Sequence, residues 1–196
     1  MKNKIKDILE KYNINGFNHP GGTDKATDHS YDIFYEEILN SYSDKEINIL
    51  EIGVQYGGSS LMWHEYFPMS KIIMLDIQDQ VHPHIWSNMN KDRYDYHIMD
   101  AFNKTSVSYL KTKYPDGFDI IIEDGPHTLQ SQIFAVQNYV ELLKDGGILI
   151  IEDVQNFDHI KIIMDSIGET FHTSMEFVDL RHVKNRYDDL LIVIKK

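Results

Sequence analysis

The sequence predicts an α/β fold with a mostly parallel β-sheet, and two observations support this prediction. From residue 47 onward, short apolar runs rich in Ile, Leu and Val alternate with longer amphipathic segments, as in successive β-α-β units. Several runs are apolar without a break, as expected for strands covered by helices on both faces. A chain of 196 residues, 42% hydrophobic and 26% charged, can form one such domain and is not disordered throughout.

The elements follow in order along the chain. Five apolar runs are predicted as parallel strands: Ile47 to Ile52, Lys71 to Leu75, Tyr94 to Met99, Phe118 to Ile122 and Ile148 to Ile151. A helix is predicted from Thr128 to Leu143, because apolar residues recur at helical spacing before a basic, glycine-rich end typical of a C-cap, Lys144-Asp145-Gly146-Gly147. Another helix is predicted around Phe157 to Ile167. The tail predicts an antiparallel hairpin at the sheet edge, formed by Met175 to Arg181 and Leu190 to Lys195.

Residues 1–46 precede the first predicted strand and are predicted to form a helical N-terminal extension, with the core at residues 47–196. The extension contains two predicted helices, near Lys4 to Tyr12 and Ser30 to Tyr42. The polar loop Asn18 to Lys25 separates them. No repeat, low-complexity tract or linker divides the chain, so we expect a single domain overall.

Charge and cysteine content exclude several classes of function. The chain carries 19 Lys and Arg against 31 Asp and Glu, a net charge of −12, so nucleic acid and anionic membranes would be repelled. The absence of cysteine excludes disulfides, thiolate metal sites and a cysteine nucleophile. The first residues alternate charged and apolar side chains and lack the apolar stretch of a signal peptide or membrane span, so we expect a cytoplasmic protein.

Candidate binding residues follow the predicted strands, since ligands of an open parallel sheet bind outside the carboxyl ends of its strands. The first strand leads into a glycine-rich turn, Glu51 to Ser60, where backbone amides can face a ligand. Its pattern, E-x-G-x-x-x-G-x-S, is not the G-x-G-x-x-G of dinucleotide-binding proteins. The next two strands end in Asp76, suited to accept both hydroxyls of a ribose, and in Asp100. Either acid alone could be a helix cap, but their occurrence in series favours a ligand site.

The fourth and fifth strands end in three acids, Asp124, Glu152 and Asp153. If these strands are neighbours, about 4.8 Å apart, the carboxylates converge and repel one another unless a cation lies among them. Oxygen ligands favour Mg²⁺, Mn²⁺ or Ca²⁺ over zinc. The alternative for Glu152 is that it caps the following helix.

His127 is the candidate general base. It lies three residues after Asp124 at the start of the predicted helix, so its ring can face the same pocket. A neutral imidazole can accept the proton of a hydroxyl whose pKa a nearby cation has lowered. Only its position relative to the acids distinguishes His127 from the other nine of the ten histidines.

Taken together, these motifs resemble those of the metal-dependent sugar and macrolide O-methyltransferases, a family of class I S-adenosylmethionine-dependent enzymes. The likeness covers roughly Gly22 to Asp153. It includes T-D-K followed by H-x-Y in Gly22-Thr23-Asp24-Lys25-Ala26-Thr27-Asp28-His29-Ser30-Tyr31, the segment that opens the core of these enzymes. The resemblance implies a Rossmann-like methyltransferase fold with a seven-stranded sheet and a C-terminal antiparallel hairpin.

The resemblance also implies roles for individual residues. The N-terminal loop would cover S-adenosylmethionine, and its Lys25 would face the carboxylate of the cofactor. Mg²⁺, or else Mn²⁺ or Ca²⁺, would lie among Asp124, Glu152 and Asp153, with His127 as catalytic base. Pro126, where the family often has serine, should stiffen the turn that carries His127. The residues implied to bind the cofactor are Thr23, Lys25, His29, Glu51, Gly53, Gly57, Ser59, Ser60, Asp76 and Asp100.

The expected activity is therefore Mg²⁺-dependent methylation of a sugar hydroxyl, in a glycosylated natural product or a polysaccharide or capsular sugar precursor, by in-line attack on the methyl group. The expected partner is a small-molecule sugar or glycoside, and the resemblance is compatible with a homo-oligomer.

Two alternatives remain. A Mg²⁺-dependent phosphoester hydrolase would leave Asp76, Asp100 and the T-D-K segment unexplained, whereas a non-catalytic nucleotide-binding protein on the same fold would not need the acids and the base.

Overall fold

A computed structural model describes residues 4–167 and 174–196, and within them a seven-stranded sheet has the order β3-β2-β1-β4-β5-β7-β6. The first five strands pair in parallel, and β7 is antiparallel to both β5 and β6. The predicted α/β fold, with its mostly parallel sheet and C-terminal antiparallel hairpin, is confirmed. The strands are β1 (Asn48–Ile52), β2 (Lys71–Asp76), β3 (Tyr94–Ile98), β4 (Phe118–Glu123), β5 (Leu143–Ile151), β6 (Ser174–Asp179) and β7 (Leu190–Lys195).

Helices cover both faces of the sheet, as predicted. They are α1 (Lys4–Lys11), α2 (Tyr31–Leu39), α3 (Gly58–Tyr66), α4 (Pro83–Asn88), α5 (Lys104–Lys113), α6 (Leu129–Tyr139), α7 (Phe157–Asp165) and α8 (Arg181–Lys184). Helices α1 to α4 share one hydrophobic layer with one set of strand residues, and α5 to α7 share the other layer with the alternate set. Ile49 and Leu50, neighbours on β1, belong to opposite layers. Burial of both faces explains why these strands are apolar without a break.

The prediction for the end of α6 is wrong. The helix ends at Tyr139, a 3₁₀ turn covers Val140–Leu142, and β5 begins at Leu143. The segment taken for a glycine C-cap, residues 144–147, belongs to β5, where the register with β4 shifts and Gly146 has a φ of 79°. Tyr139, Val140, Leu142 and Leu143 are all buried apolar residues, so periodicity alone does not mark the boundary between helix, turn and strand.

The N-terminal extension packs on the core. Ile5 and Leu9 of α1 and Phe34 of α2 are buried in the same layer as α3. Within residues 4–167 and 174–196, no helix is both long enough and apolar enough to cross a membrane.

Candidate active site

A cleft of about 800 Å³ opens at the carboxyl ends of the parallel strands, a volume typical of small-molecule sites. Eight of the fourteen candidate residues line it: Thr23, Gly53, Ser59, Asp76, Asp100, Asp124, His127 and Asp153. The other six do not line it: Lys25, His29, Glu51, Gly57, Ser60 and Glu152. The parallel topology therefore brings most of the candidates to one cavity, and the remainder lie around it.

The glycine-rich turn after β1 forms the middle of the cleft. Gly53 has a φ of 87°, and a Cβ added there would lie 1.9 Å from the carbonyl oxygen of Asp124, so no other residue fits without displacing that backbone. Oδ2 of Asp76 accepts hydrogen bonds from the backbone N–H groups of Val54 and Gln55, each at 2.8 Å. Its Oδ1 accepts a further hydrogen bond from the backbone N–H of Gln78 at 2.9 Å. Asp76 therefore shapes the turn and lines the cleft, and its Oδ1 can accept one more hydrogen bond.

Asp100 lies two residues beyond the end of β3, on the same side of the cleft as Asp76. Its Oδ1 accepts a hydrogen bond from the backbone N–H of Phe102 at 2.8 Å, and its side chain is exposed to the cleft. Asp76 and Asp100 thus occupy the end of the cleft formed by β2 and β3.

Glu51 and Ser60 lie beneath the glycine turn. The fully buried Glu51 accepts hydrogen bonds from the hydroxyl of Ser60 and from Nε1 of Trp63. Burial raises the pKa of Glu51 despite the opposing charge of Lys25. These contacts fix α3 to the end of β1, so they support the turn from below and do not line the cleft.

Lys25 is buried beneath the acids at the ends of β4 and β5. Its side chain is 1% exposed, and its Nζ lies 2.8 Å from Oδ2 of Asp124 and 2.5 Å from Oε2 of Glu152. Burial on its own lowers the pKa of Lys25, but the charges of Asp124 and Glu152 outweigh it and raise the pKa well above the usual value. Lys25 is thus a cation paired with both acids.

Glu152, expected as a metal ligand, contacts two other side chains through its carboxylate oxygens. One carboxylate oxygen binds Lys25, and the other accepts a hydrogen bond from the hydroxyl of Tyr35. Its side chain is 1% exposed. A lysine from the N-terminal loop therefore balances its charge, a long-range contact that the local sequence of β5 does not indicate.

His29 also lies outside the cleft. Its Nδ1 is 2.6 Å from Oδ1 of Asp189, and its ring stacks on that of Tyr31, with centroids 4.6 Å apart. Burial lowers the pKa of His29, so the ring is neutral at pH 7. His29 and Tyr31 fasten the N-terminal loop to the start of β7 and to Asp153, whose Oδ1 accepts from the Tyr31 hydroxyl.

Asp124, His127 and Asp153 form a compact cluster on the cleft. Pairing of β4 with β5 brings them together, and one ligand atom from each lies within 4.8 Å of the others. Nε2 of His127 is 3.9 Å from Oδ1 of Asp124 and 3.5 Å from Oδ2 of Asp153. Burial and the charge of Asp124 raise the pKa of Asp153, the consequence of crowded carboxylates that the sequence predicts.

This cluster fits a hard divalent cation. The carboxylates of Asp124 and Asp153 are hard oxygen donors that suit Mg²⁺ or Mn²⁺, and they face the cleft beside His127. Nδ1 of His127 is buried and has no hydrogen-bond partner among the described residues. Nothing in the described part of the chain therefore fixes the tautomer of this ring.

Several residues of the site carry no local sequence signal. Asp188, Arg186 and Tyr187 line the cleft from the turn before β7, and Gln155 lines it from the segment after β5. Only the sheet order, with β7 beside β5, places the C-terminal turn there. Tyr31 could have been identified from the H-x-Y motif.

Comparisons with known proteins find several chains similar to this one. Residues 50–154 match the family model described as a methyltransferase domain. A 2'-O-methyltransferase of 8-demethyl-8-alpha-L-rhamnosyl tetracenomycin-C from Streptomyces olivaceus is 28% identical over 141 residues, covering 68% of this chain and 35% of that protein. Demethylmacrocin O-methyltransferase from Streptomyces fradiae is 28% identical over 133 residues, covering 64% and 32%. The chain thus spans about a third of the length of the curated relatives it matches.

Solved structures show the same fold. MycE methyltransferase, in complex with Mg, SAH and mycinamycin VI, superposes with a TM-score of 0.60 at 25% identity, covering 76% of this chain and 37% of that chain. An O-methyltransferase from Bacillus cereus in complex with SAH superposes with a TM-score of 0.70 at 15% identity, covering 100% and 92%. The second likeness concerns the fold alone.

Proposed function

The chain belongs to the methyltransferase domain family, and we propose that it is an S-adenosylmethionine-dependent O-methyltransferase acting on a sugar hydroxyl. One observation carries the proposal. A single cleft has the glycine turn at its centre, aspartates at the β2–β3 end, and the cluster of Asp124, His127 and Asp153 at the β4–β5 end. This arrangement would place a methyl donor over the glycine turn, next to a hydroxyl that the cluster at the β4–β5 end deprotonates.

The cofactor would lie over the glycine turn. Backbone groups of the turn and Ser59 would surround its methionine part, with Thr23 above, while Asp76 and Asp100 would bind the ribose and adenine ends. When bound, S-adenosylmethionine supplies a methyl group activated by the positive charge on sulfur. Among the described residues, six aspartates line the cleft, which suits a cationic ligand. Lys25 and His29 would act indirectly, by holding the N-terminal loop in place.

Mg²⁺, or Mn²⁺ or Ca²⁺, would lie between Asp124 and Asp153. A bound cation lowers the pKa of a neighbouring hydroxyl. The MycE complex with Mg supports this assignment by analogy. Glu152 would stand behind Asp124, sharing Lys25 with it, and so keep the Asp124 carboxylate in place.

His127 would be the base. Its Nε2 faces the acids without hydrogen-bonding to them, so it is free to accept a proton from a substrate hydroxyl placed beside it. Nε2 would accept the proton as the O–H bond breaks, and the oxygen would take the methyl group of S-adenosylmethionine, whose methyl–sulfur bond breaks with its electron pair going to sulfur, so that S-adenosylhomocysteine leaves. Asp153 would stabilise the resulting imidazolium.

The acceptor class is proposed from the relatives. The names of two of them specify hydroxyl methylation on rhamnosyl tetracenomycin-C and on mycinamicin VI. We therefore place the acceptor among the hydroxyls of a glycosylated natural product or of a polysaccharide or capsular sugar precursor.

A label-transfer assay tests this function. The protein is incubated with Mg²⁺, S-adenosylmethionine labelled at the methyl group, and a panel of neutral, acidic and phosphorylated sugars, and products are analysed by mass spectrometry and NMR. We expect label on a sugar oxygen, and loss of the product in EDTA and in Asp124→Asn. Label on nitrogen or carbon would contradict the proposed reaction. Turnover unaffected by EDTA and by Asp124→Asn would rule out a role for a metal ion. Mg²⁺-dependent hydrolysis of p-nitrophenyl phosphate without label transfer would favour the hydrolase.

A further inference from the structure

One end of the cleft has a chemical character different from the rest. The turn between α8 and β7, residues 185–188, contributes Arg186, Tyr187 and Asp188 to the lining. Among the described residues that line the cleft, Arg186 is the only lysine or arginine, whereas six are aspartates. A single cation in an acidic cleft is a feature that cofactor binding and metal binding leave unexplained.

Arg186 is held so that part of its guanidinium is free. Its Nε donates to Oδ1 of Asp188 at 2.8 Å, and the Asp188 side chain is only 7% exposed. Arg186 itself is 35% exposed, and its two terminal nitrogens have no hydrogen-bond partner in the part of the chain that the structure describes. The free edge of a guanidinium matches a carboxylate or a phosphate, which it can bind through two parallel hydrogen bonds.

The turn is anchored to the rest of the protein. Nζ of Lys184 donates to the carbonyl oxygens of Ala26 at 3.0 Å and of Thr27 at 2.7 Å. The hydroxyl oxygen of Tyr31, which donates its proton to Asp153, lies 3.3 Å from the carbonyl oxygen of Asp188. Arg186 is therefore presented by a fixed turn, which lowers the entropic cost of binding a ligand.

The sheet order places Arg186 on the acceptor side. β7 is next to β5 and three positions from β1, so the turn lies about 14 Å from the glycine turn at the usual strand spacing. Tyr187, beside Arg186 on the same turn, is 65% exposed and presents a ring face on which a sugar can pack. A ligand in contact with both residues would extend past Asp153, away from the cofactor.

We propose that Arg186 and Tyr187 form an acceptor subsite for a sugar that carries a carboxylate or a phosphate group. Arg186 pairs with the anionic group, and Tyr187 packs on the sugar ring. The subsite rests on the proposed function, since it specifies the acceptor of that reaction. An anionic sugar would otherwise be repelled by the aspartates of the cleft, and Arg186 supplies the compensating charge where the acceptor enters.

Binding of matched sugars to the full chain tests the subsite. Methyl glucoside, methyl glucuronide and glucose 6-phosphate are titrated by ligand-detected NMR in the presence of Mg²⁺ and S-adenosylhomocysteine. The wild type should bind one anionic sugar at least about tenfold more tightly than the neutral one, and which one it prefers separates carboxylate from phosphate. Arg186→Gln should abolish this preference. Lys161→Gln is the control and should retain it, because Lys161 is an 82% exposed cation on α7 that lines neither the cleft nor the smaller cavity beside Arg186.

Equal binding of neutral and anionic sugars by the wild type, or an unchanged preference in Arg186→Gln, would overturn the subsite. Affinity for S-adenosylhomocysteine, measured on the same samples, shows that the variant is folded and should be unchanged. A loss of that affinity would assign Arg186 to the cofactor carboxylate and also overturn the subsite. If the wild type binds S-adenosylhomocysteine but shows no preference among sugars, only the subsite fails. If it does not bind S-adenosylhomocysteine, the proposed function fails as well.

Discussion

At the residue scale, His127 is held in an uncommon backbone conformation. Its φ is 52°, in the left-handed region, and Asp153 opposite it has a φ of 55°. Such residues cost on the order of 1–3 kcal/mol and persist where their surroundings fix them, most often at functional sites. Pro126 precedes His127, and Thr128 caps α6 through a capping box with Ser131. The turn is thus fixed on both sides, which orients the imidazole toward the acids.

Replacement of His127 by alanine should lower kcat by roughly 10²–10⁴-fold, the usual contribution of a general base, while leaving the affinity for S-adenosylmethionine unchanged. Steady-state kinetics and calorimetry measure the two effects. His182→Ala, which removes an exposed histidine outside the cleft, is the matched control and should have wild-type values. Full turnover in His127→Ala at neutral pH would rule out the proposed role.

Lys25 forms buried ion pairs that hold two acids of the site together. Its ammonium group lies between Asp124 and Glu152, two acids that would repel one another without it. Removing one member of a buried ion pair typically costs about 3–5 kcal/mol, because the remaining charges are left uncompensated.

Lys25→Met should therefore lower the free energy of unfolding by about 3–5 kcal/mol in EDTA, as measured by urea denaturation. Mg²⁺ should recover part of the loss, since it can supply the missing positive charge. Lys161→Met removes an 82% exposed lysine on α7 and should change little. If Lys25→Met proved as stable as the control, the buried ion pairs would not be what holds the acids together.

At the element scale, the turn after β1 and the turn after β4 meet at Gly53. The contact with the carbonyl oxygen of Asp124 leaves no room for a side chain. Gly146, in β5, provides a comparison, since it has a similar φ of 79° but no atom within 4 Å of an added Cβ. A side chain at Gly146 would meet backbone strain alone, whereas a side chain at Gly53 would meet both strain and a steric clash.

Gly146→Ala should cost only the strain of a left-handed alanine, about 1–2 kcal/mol. Gly53→Ala should cost clearly more and should also abolish S-adenosylmethionine binding, because the two turns must separate. Urea denaturation and calorimetry on both variants check this. Equal losses of stability in the two variants would show that close approach at Gly53 does not shape the cleft.

The elements differ in how far the sequence predicts them. Continuous apolar runs identify the central parallel strands, because these are buried on both faces, whereas β3 at the sheet edge is only partly buried and contains Asp95 and His97. Acids at strand ends were expected to converge, and the pairing of β4 with β5 brings Asp124 and Asp153 together. The position of Lys25 was not predictable, since its contacts with Asp124 and Glu152 span 99 and 127 residues along the chain. The resemblance to the sugar and macrolide O-methyltransferases is confirmed by the family match over residues 50–154 together with the similar relatives.

At the scale of the whole molecule, the fold is stabilised by apolar strands and helices, while the carboxyl edge of the sheet concentrates negative charge. The chain carries a net charge of −12, and the cluster of Asp124, His127 and Asp153 adds local repulsion. A cation that binds only the folded state should therefore stabilise the entire domain.

Mg²⁺ at a hundredfold excess over its dissociation constant should raise Tm by about 5–10 °C. Differential scanning fluorimetry measures this shift, with NaCl at equal ionic strength as the control for general screening of the net charge. Asp124→Asn should lose most of the Mg²⁺-specific increase. An equal increase with NaCl, or with Mg²⁺ in Asp124→Asn, would show that no site at Asp124 is being filled.

The central claim is that the cleft binds S-adenosylmethionine over the glycine turn, next to a separate metal site. The most direct test is calorimetric titration of the cofactor into the wild type, first with Mg²⁺ and then with EDTA. We predict binding that survives chelation, because the cofactor contacts lie on β1 to β3 and the metal contacts on β4 and β5. No binding in either condition would contradict the account and leave the acidic cluster as the site of a different reaction.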